Sequence, residues 1–250
     1  VRGRDAVVTM LTDRVDDALL AAATPSLKIV ANVAVGYDNI DVPAARARTV
    51  IVTNTPDVLT GAVAEFTWGL ILGITRRMAE GDRLIRRDGW KCWSFTFMTG
   101  MELAGKQLGI IGPGRIGRAV AAGASAFGMN VVTYDPFVPK DVLAKANVKH
   151  VELEELLRTS DYVSLHCPLM PETKHMMNAK TFAMMKPGSY IVNTGRGPLI
   201  DEAALAAALD KGQLAGAALD VVEKEPPTDS PILGRDNVII TPHTAFYSEE

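Results

Sequence analysis

Apolar and polar residues follow two different periods along this chain. Short apolar runs rich in Val, Ile and Leu lie at residues 6–10, 28–32, 50–53, 107–111, 131–134, 162–166, 190–193, 215–219 and 238–241. Turn residues or charges bound them, and each predicts a strand. Between them, apolar residues recur at three- and four-residue spacing over 15–22, 43–48, 61–88, 115–127, 153–158, 178–185 and 201–211. That is the spacing of helices with one buried face. Strands separated by helices predict parallel sheets covered on both faces. Right-handed crossovers would then wind them into a doubly wound parallel α/β fold.

The segment 61–88 breaks the rhythm, because it predicts one helix far longer than the others. Asn54-Thr55-Pro56-Asp57 ahead of it has turn chemistry. An aromatic-rich irregular stretch, 90–100, follows before a fresh strand. Two domains are expected: a smaller flavodoxin-like α/β domain from residues 1–55 with 244–250, and a Rossmann domain over 56–243 that includes the long helix. The chain opens at Val1 rather than Met, with a strand already at 6–10, so truncation at both ends is expected.

Composition narrows the class. The chain has 250 residues, and 48% hydrophobic content supports a sizeable core. A formal charge of -3 recommends neither nucleic acid nor an anionic membrane as partner. Arg76, Arg77, Arg83, Arg86 and Arg87 are interrupted by Glu80, Asp82 and Asp88, the pattern of a solvated helix face. Two cysteines, Cys92 and Cys167, with no C-x-x-C, predict neither a disulfide framework nor a metal site and suit a reducing cytoplasm. No apolar run is long enough to span a bilayer, and the opening residues carry no signal-peptide pattern.

One motif points to a cofactor. Gly112-Pro113-Gly114-Arg115-Ile116-Gly117 is G-x-G-x-x-G, placed after the predicted strand 107–111 and opening the predicted helix 115–127. The next strand ends at Asp135, close to the spacing of about 20 residues expected for a ribose-binding acid. Gly112 allows the tight turn, Gly114 lets backbone approach a pyrophosphate, and Gly117 lets helix and strand pack closely. The helix start offers unpaired N–H groups to phosphates. Asp135 would accept from the ribose hydroxyls and repel a 2′-phosphate, which predicts NAD rather than NADP.

Ligands of open α/β sheets sit beyond the carboxyl ends of the strands. Arg196 follows the strand 190–193, Asp220 and Glu225 follow 215–219, and His243 follows 238–241. Oxidising a 2-hydroxy acid needs a cation for the carboxylate, a base poised near neutrality and a partner that orients the base. Arg196 is suited to the first through its planar fork. His243 suits the second and Glu225 the third. His166, followed by Cys167-Pro168, is the rival base and reads more as cofactor-pocket backbone; His150 and His175 read as surface residues.

These segments together resemble the D-isomer-specific 2-hydroxyacid dehydrogenase family over nearly the whole chain. The markers are Val35-Gly36-Tyr37-Asp38-Asn39-Ile40-Asp41, the glycine fingerprint with Asp135, His166-Cys167-Pro168-Leu169, Asn193-Thr194-Gly195-Arg196-Gly197, Leu219-Asp220-Val221, Glu225-Pro226 and Thr241-Pro242-His243. The resemblance implies that Arg196, Glu225 and His243 are the catalytic residues. It implies a substrate-binding smaller domain in which Val35 and Gly36 offer N–H groups to the substrate carboxylate, with Arg196 as the cation. It also implies an NAD site lined by Thr60, Gly112, Gly114, Arg115, Ile116, Gly117, Asp135, Cys167, Pro168, Thr173, Thr194, Gly195, Arg196, Asp220 and His243. A homodimer held through the cofactor domain and the long helix is a further implication.

Within the family, residues 31–38 look most like glyoxylate and hydroxypyruvate reductases. Phosphoglycerate dehydrogenases tend to carry an arginine near Asn32, and a neutral Asn32 speaks against a phosphorylated substrate. The end, 243–250, resembles instead the C-terminal-binding-protein corepressors. The alternative expectation is therefore an NAD(H)-sensing binding protein. A formate dehydrogenase relative is disfavoured, because that branch resembles a Gln–His pair. The first strand and helix of the smaller domain and the helix after His243, which the family pattern includes, are absent from this chain.

Overall fold

A computed structural model describes residues 1–136 and 148–249. The chain divides into two compact units, Val1–Leu59 and Thr60–Glu250.

The smaller unit runs β1 (Ala6–Thr9), α1 (Asp17–Ala23), β2 (Ile29–Asn32), α2 (Val42–Ala47) and β3 (Ile51–Thr53). Its strands form a parallel sheet in the order β1-β2-β3. Both helices start where the chain supplies an acceptor for unpaired N–H groups. The Asp16 side chain accepts from Leu19 N, and that of Asp41 from Ala44 N, with Pro43 in the first turn of α2. Val15, Leu20, Leu27, Val30, Ile40, Ala45 and Val50 meet as its core.

The larger unit contains α3 (Thr60–Thr75), α4 (Met78–Arg86), β4 (Gln107–Ile111), α5 (Arg115–Ala124), β5 (Asn130–Tyr134), β6 (Lys149–His150), α6 (Leu153–Thr159), β7 (Tyr162–Leu165), α7 (Ala179–Met184), β8 (Ser189–Asn193), α8 (Glu202–Asp210), β9 (Leu214–Leu219) and β10 (Val238–Ile240). The strands form one seven-stranded sheet in the order β10-β9-β8-β7-β4-β5-β6, all parallel. The chain builds outward from β4 to β6, then returns to lay β7 on the other side of β4. The strand order reverses there, which is where doubly wound sheets open a ligand crevice. Separate apolar cores, one with Leu156, Val163, Ile191 and Leu205, the other with Ile71, Leu108, Val120 and Val192, cover this sheet. All four residues of β7 are buried, Ser164 included, so it lacks the alternation of a half-exposed strand.

Three local expectations change. The single helix expected over 61–88 is two helices, because Arg77 takes the left-handed conformation (φ 53) between α3 and α4. The returning chain causes the stop: Met101 N donates to Thr75 O at 3.2 Å, and a Cβ on Gly100 would lie 2.5 Å from that same oxygen. Arg77 then pairs with Glu80 through two bonds of 2.7 and 2.6 Å. The two-residue β6 has no sequence signal, since a strand that short shows no period. Residues 244–249, grouped with the smaller domain at the sequence level, cluster with the larger unit, where Thr244 N and Ala245 N donate to the Asp220 carboxylate.

The helix end at Gly128, the charged face of α4 and the irregular stretch 90–100 follow the sequence pattern. The helix after the glycine turn ends in a 3-10 turn, Ser125–Phe127, stopped by Gly128 at φ 64. The basic face of α4 is ion-paired: Arg83 and Arg87 with Asp236, and Arg86 with Asp82. Residues 90–100 contain no helix or strand. Among the described residues, no helix is long and apolar enough to cross a membrane.

Leu156, fully buried on α6, packs where a Cβ on Gly109 of β4 would lie 2.6 Å from its Cδ2. Leu156→Ala should therefore destabilise the larger unit by about 2–5 kcal/mol, read as a lower urea midpoint at unchanged m-value.

Candidate active site

The turn after β4 is shaped by contacts that only glycine permits. Gly112 has φ 88, and a Cβ there would lie 2.5 Å from Cys167 N and 2.7 Å from Cys167 Cα. The loops after β4 and β7 thus touch backbone to backbone at the point where strand order reverses. A Cβ on Gly117 would lie 2.5 Å from Gly112 O, so α5 starts directly on the turn. Gly114, the residue before α5, makes no side-chain cap, and a Cβ there would meet nothing within 4 Å. Gly114 therefore has no side chain with which to cap the first turn of α5, and the space beside its Cα is open. A helix start in this condition attracts phosphate. Asp135 sits half-buried just past the end of β5. These residues fit a dinucleotide.

The loops after β7 and β8 are braced internally. Burial pushes the Cys167 thiol up to about 12, with the Asp135 carboxylate adding to it. Cys167 is thus a neutral thiol, 3.6 Å from the Met176 sulfur, and has no nucleophilic character. Past exposed Pro168, the Thr173 hydroxyl donates to Pro168 O at 2.8 Å and accepts from Met170 N at 2.8 Å. After β8, the Asn193 side chain accepts from Gly195 N at 3.0 Å and donates to Arg196 O at 2.8 Å. Thr194 Oγ1 lies 3.0 Å from Thr67 Oγ1 of α3, the helix that Thr60 begins. Gly197 is pressed against the next loop, since a Cβ there would lie 1.8 Å from Val222 O. That contact brings the backbone carrying Arg196 against the backbone leading to Glu225.

The third loop carries His243. His243 Nδ1 lies 2.8 Å from Glu225 Oε2, and Glu225 Oε1 accepts from Val222 N at 3.2 Å. Burial raises the affinity of Glu225 for a proton. The hydrogen bond from His243 and its charge, the Val222 N–H and the charge of Arg196 outweigh it and hold the carboxyl below the usual range. An ionised carboxylate only accepts, so Nδ1 carries the shared proton and Nε2 of a neutral ring is left with its lone pair. His243 itself has φ 55, and its N–H donates to Asp220 O at 2.9 Å.

The structure thus brings Arg196, Glu225 and His243 to one sheet edge with the glycine turn. Val35 and Gly36 belong to the smaller unit. Two bracing networks have no counterpart in the sequence reading, which placed Asp220 only at the cofactor. Asp220 is only 1% exposed; its carboxylate accepts from Thr241 Oγ1 at 2.6 Å, Thr244 N at 2.9 Å and Ala245 N at 2.8 Å, framing His243 on both sides. His175, read as a surface residue, pairs with Glu223 at 2.6 Å, and Glu223 N donates to the buried Glu202 carboxylate at 2.6 Å. Glu202 also accepts from the Ser230 hydroxyl. This second cluster anchors the loop that bears Glu225. Spacing gives no hint of it, because its members lie far apart in the chain.

His166 is no base. Burial holds its ring down to about 4, and Nε2 lies 2.8 Å from Ser164 Oγ.

The model of the D-isomer specific 2-hydroxyacid dehydrogenase NAD binding domain matches residues 68–245. A glyoxylate reductase of Korarchaeum cryptofilum is 47% identical over 100% of this chain and 76% of its own length. One of Thermofilum pendens is 46% identical over 98% of this chain and 73% of its own. The crystal structure of D-lactate dehydrogenase from Aquifex aeolicus complexed with NAD and lactic acid superposes with a TM-score of 0.88 at 34% identity, covering 98% of this chain and 77% of that one.

The desolvated ring of half-buried His166 carries a pH prediction. Its folded value of about 4 lies below the ordinary 6.5, so between those values the unfolded chain binds a proton that the folded chain does not. Stability is therefore lost as pH falls from about 6.5 towards about 4, by roughly 1–3 kcal/mol from this group. Denaturant titrations of His166→Gln should show a shallower loss across that window than the parent chain; identical slopes would remove His166 as a source.

Proposed function

We propose that this chain, which belongs to the D-isomer specific 2-hydroxyacid dehydrogenase family and so performs NAD-linked oxidoreduction between 2-hydroxy and 2-oxo acids, acts on small unphosphorylated acids of the glyoxylate and hydroxypyruvate class. The observation that carries the reading is the 2.8 Å His243–Glu225 pair at the edge where the glycine turn lies. The glyoxylate reductases at 47% and 46% identity support the substrate class. Asn32 supports it differently from the sequence expectation. Its amide is 2% exposed and bonded to Thr9 and to Gly36 O, so this position offers no cation to a phosphate.

Phosphates are assigned to the start of α5 at Gly114, Arg115, Ile116 and Gly117, and the ribose hydroxyls to Asp135. Gly112, Thr60, Cys167, Pro168, Thr173, Thr194, Gly195, Arg196, Asp220 and His243 complete the assigned cofactor wall. The nicotinamide, when bound, supplies or accepts the hydride. Arg196 takes the substrate carboxylate through its guanidinium and polarises the C2 carbonyl. Val35 and Gly36 are assigned N–H bonds to that carboxylate. In reduction, His243 gives the Nε2 proton to the new hydroxyl; in oxidation, Nε2 removes it. Glu225 holds the ring in the required tautomer and stabilises the imidazolium.

A scaffold that only sensed NADH would have no need of this pair, which favours an enzyme over the corepressor reading. A homodimer is proposed as well, supported by the exposed Ile85, Trp90, Trp93 and Phe95 at and after α4. Two unpaired cysteines, Cys92 exposed and Cys167 buried, suit the cytoplasm.

NADH oxidation with glyoxylate, hydroxypyruvate, pyruvate and a phosphorylated 2-oxo acid should rank the first two highest; preference for the phosphorylated acid would overturn the substrate class. His243→Ala should lower kcat roughly 10²- to 10⁴-fold while NADH affinity stays within about twofold. An unchanged kcat would remove His243 from proton transfer.

Asp135→Ala should weaken NADH and raise relative use of NADPH about tenfold or more, in paired kcat/KM measurements. An unaltered cofactor ratio would mean another group reads the ribose.

A further inference from the structure

The loop that follows β2 in the smaller unit is held in an unusual way. Four successive carbonyls are each taken by a donor. Ala34 O accepts from Thr55 N at 2.9 Å, Val35 O from Asn54 Nδ2 at 2.8 Å, Gly36 O from Asn32 Nδ2 at 2.8 Å, and Tyr37 O from Ile40 N at 3.0 Å. Among the described residues, no acceptor takes the N–H groups of Val35, Gly36 or Tyr37.

A trans peptide is planar, with its C=O and the following N–H pointing in opposite directions. Fixing Val35 C=O on Asn54 therefore turns the Gly36 N–H the other way. Fixing Gly36 C=O on Asn32 does the same for the Tyr37 N–H, and the Thr55 backbone does so for Val35. Three consecutive N–H dipoles are left pointing away from their tethers, an arrangement that attracts a small anion. Asn32 cannot swing to release its carbonyl. Its Oδ1 accepts from Thr9 Oγ1 at 2.9 Å and from Asn39 Nδ2 at 3.2 Å, and Asn39 is itself tied to Met10 O and Asp13 O, each at 3.0 Å. Thr9 and Asn32 are both buried. A buried side-chain network of this kind has one satisfied arrangement, so the loop has one shape.

We infer that Asn54 and Asn32 are positioning residues for substrate: by holding the carbonyls of Val35 and Gly36, they pre-aim the adjoining N–H groups at the carboxylate of the 2-oxo acid. The inference rests on the reading that this loop receives that carboxylate. The amides touch no substrate atom; they act through the peptide planes. An unheld loop would have to order its N–H groups on each binding event, so the preset geometry favours affinity for the anion.

The test is steady-state kinetics of the full chain with NADH, using the 2-oxo acid that the panel above ranks first and its methyl ester, which has the same carbonyl but no negative charge. Asn54→Ala should raise KM for the acid roughly tenfold or more, with a smaller change in kcat, an unchanged KM for NADH, and little change in kcat/KM for the ester. Asn32→Ala should act in the same direction. Because Asn32 is buried, the half-exposed Asn54 carries the test if the Asn32 variant fails to fold. An acid KM within about twofold of the parent in folded Asn54→Ala, or equal losses for acid and ester, would overturn the proposal. Gly36→Pro, which deletes one N–H, separates the two layers. If it raises KM for the acid while Asn54→Ala does not, the carboxylate reading stands and the positioning role falls; if neither moves KM, the carboxylate reading falls with it.

Discussion

The Asp220 carboxylate is the point on which the chemistry of the larger unit depends. A buried carboxylate is expensive unless donors surround it. Here they do: the Thr241 hydroxyl and the Thr244 and Ala245 N–H groups all reach it, while its own backbone carbonyl takes the N–H of His243. The requirement to satisfy one desolvated charge thus dictates the path of the chain on both sides of His243. It also explains how a residue with φ 55 is maintained outside the favourable region. The turn is over-determined by bonds that a charge makes strong, and the imidazole is delivered to Glu225 as a consequence.

A second constraint comes from missing side chains. Gly112 lets the loop after β4 press on the loop after β7, and Gly197 lets the loop after β8 press on the loop after β9. Neighbouring parallel strands are about 4.8 Å apart, and the loops beyond their ends would diverge if every residue carried a Cβ. The two glycines keep them in backbone contact. Arg196 and Glu225 sit directly beside such a contact, which is why the Arg196 charge helps hold the Glu225 carboxyl ionised.

The sequence was most readable where one period governs a segment. Buried β7 and the amphipathic α5 announced themselves, and the glycine fingerprint fell on the strand–turn–helix that its physics requires. The placement of Arg196, Glu225 and His243 on one edge was legible because each follows a strand, and parallel strands put such positions together. The break at Arg77 was not legible. It is imposed by Gly100 and Met101, more than twenty residues later, and no local propensity at Arg77 reports it. His175 looked like any polar surface residue for the same reason: its partner Glu223 and the buried Glu202 come from distant segments. Asn32 was read for its lack of charge, whereas its importance lies in what the amide can donate and accept.

The two units use the same device with opposite polarity. In the larger unit an acceptor, the Asp220 carboxylate, collects N–H groups and so fixes a turn that presents a side chain. In the smaller unit donors, the Asn32 and Asn54 amides, collect carbonyls and so fix a loop that presents N–H groups. Under the proposed function, the choice follows from what each loop would offer. A general base must be a side chain, and the backbone around it can be consumed in holding it. An anion receptor made of peptide N–H groups must leave those groups unspent, so the holding bonds have to fall on the carbonyls. Asn is suited to this because it is a donor without a charge. A lysine or arginine in its place would bind the carbonyl more strongly but add a cation that recruits further anions. In the proposed reading, the neutral amide shapes the loop and leaves recognition to the three N–H dipoles.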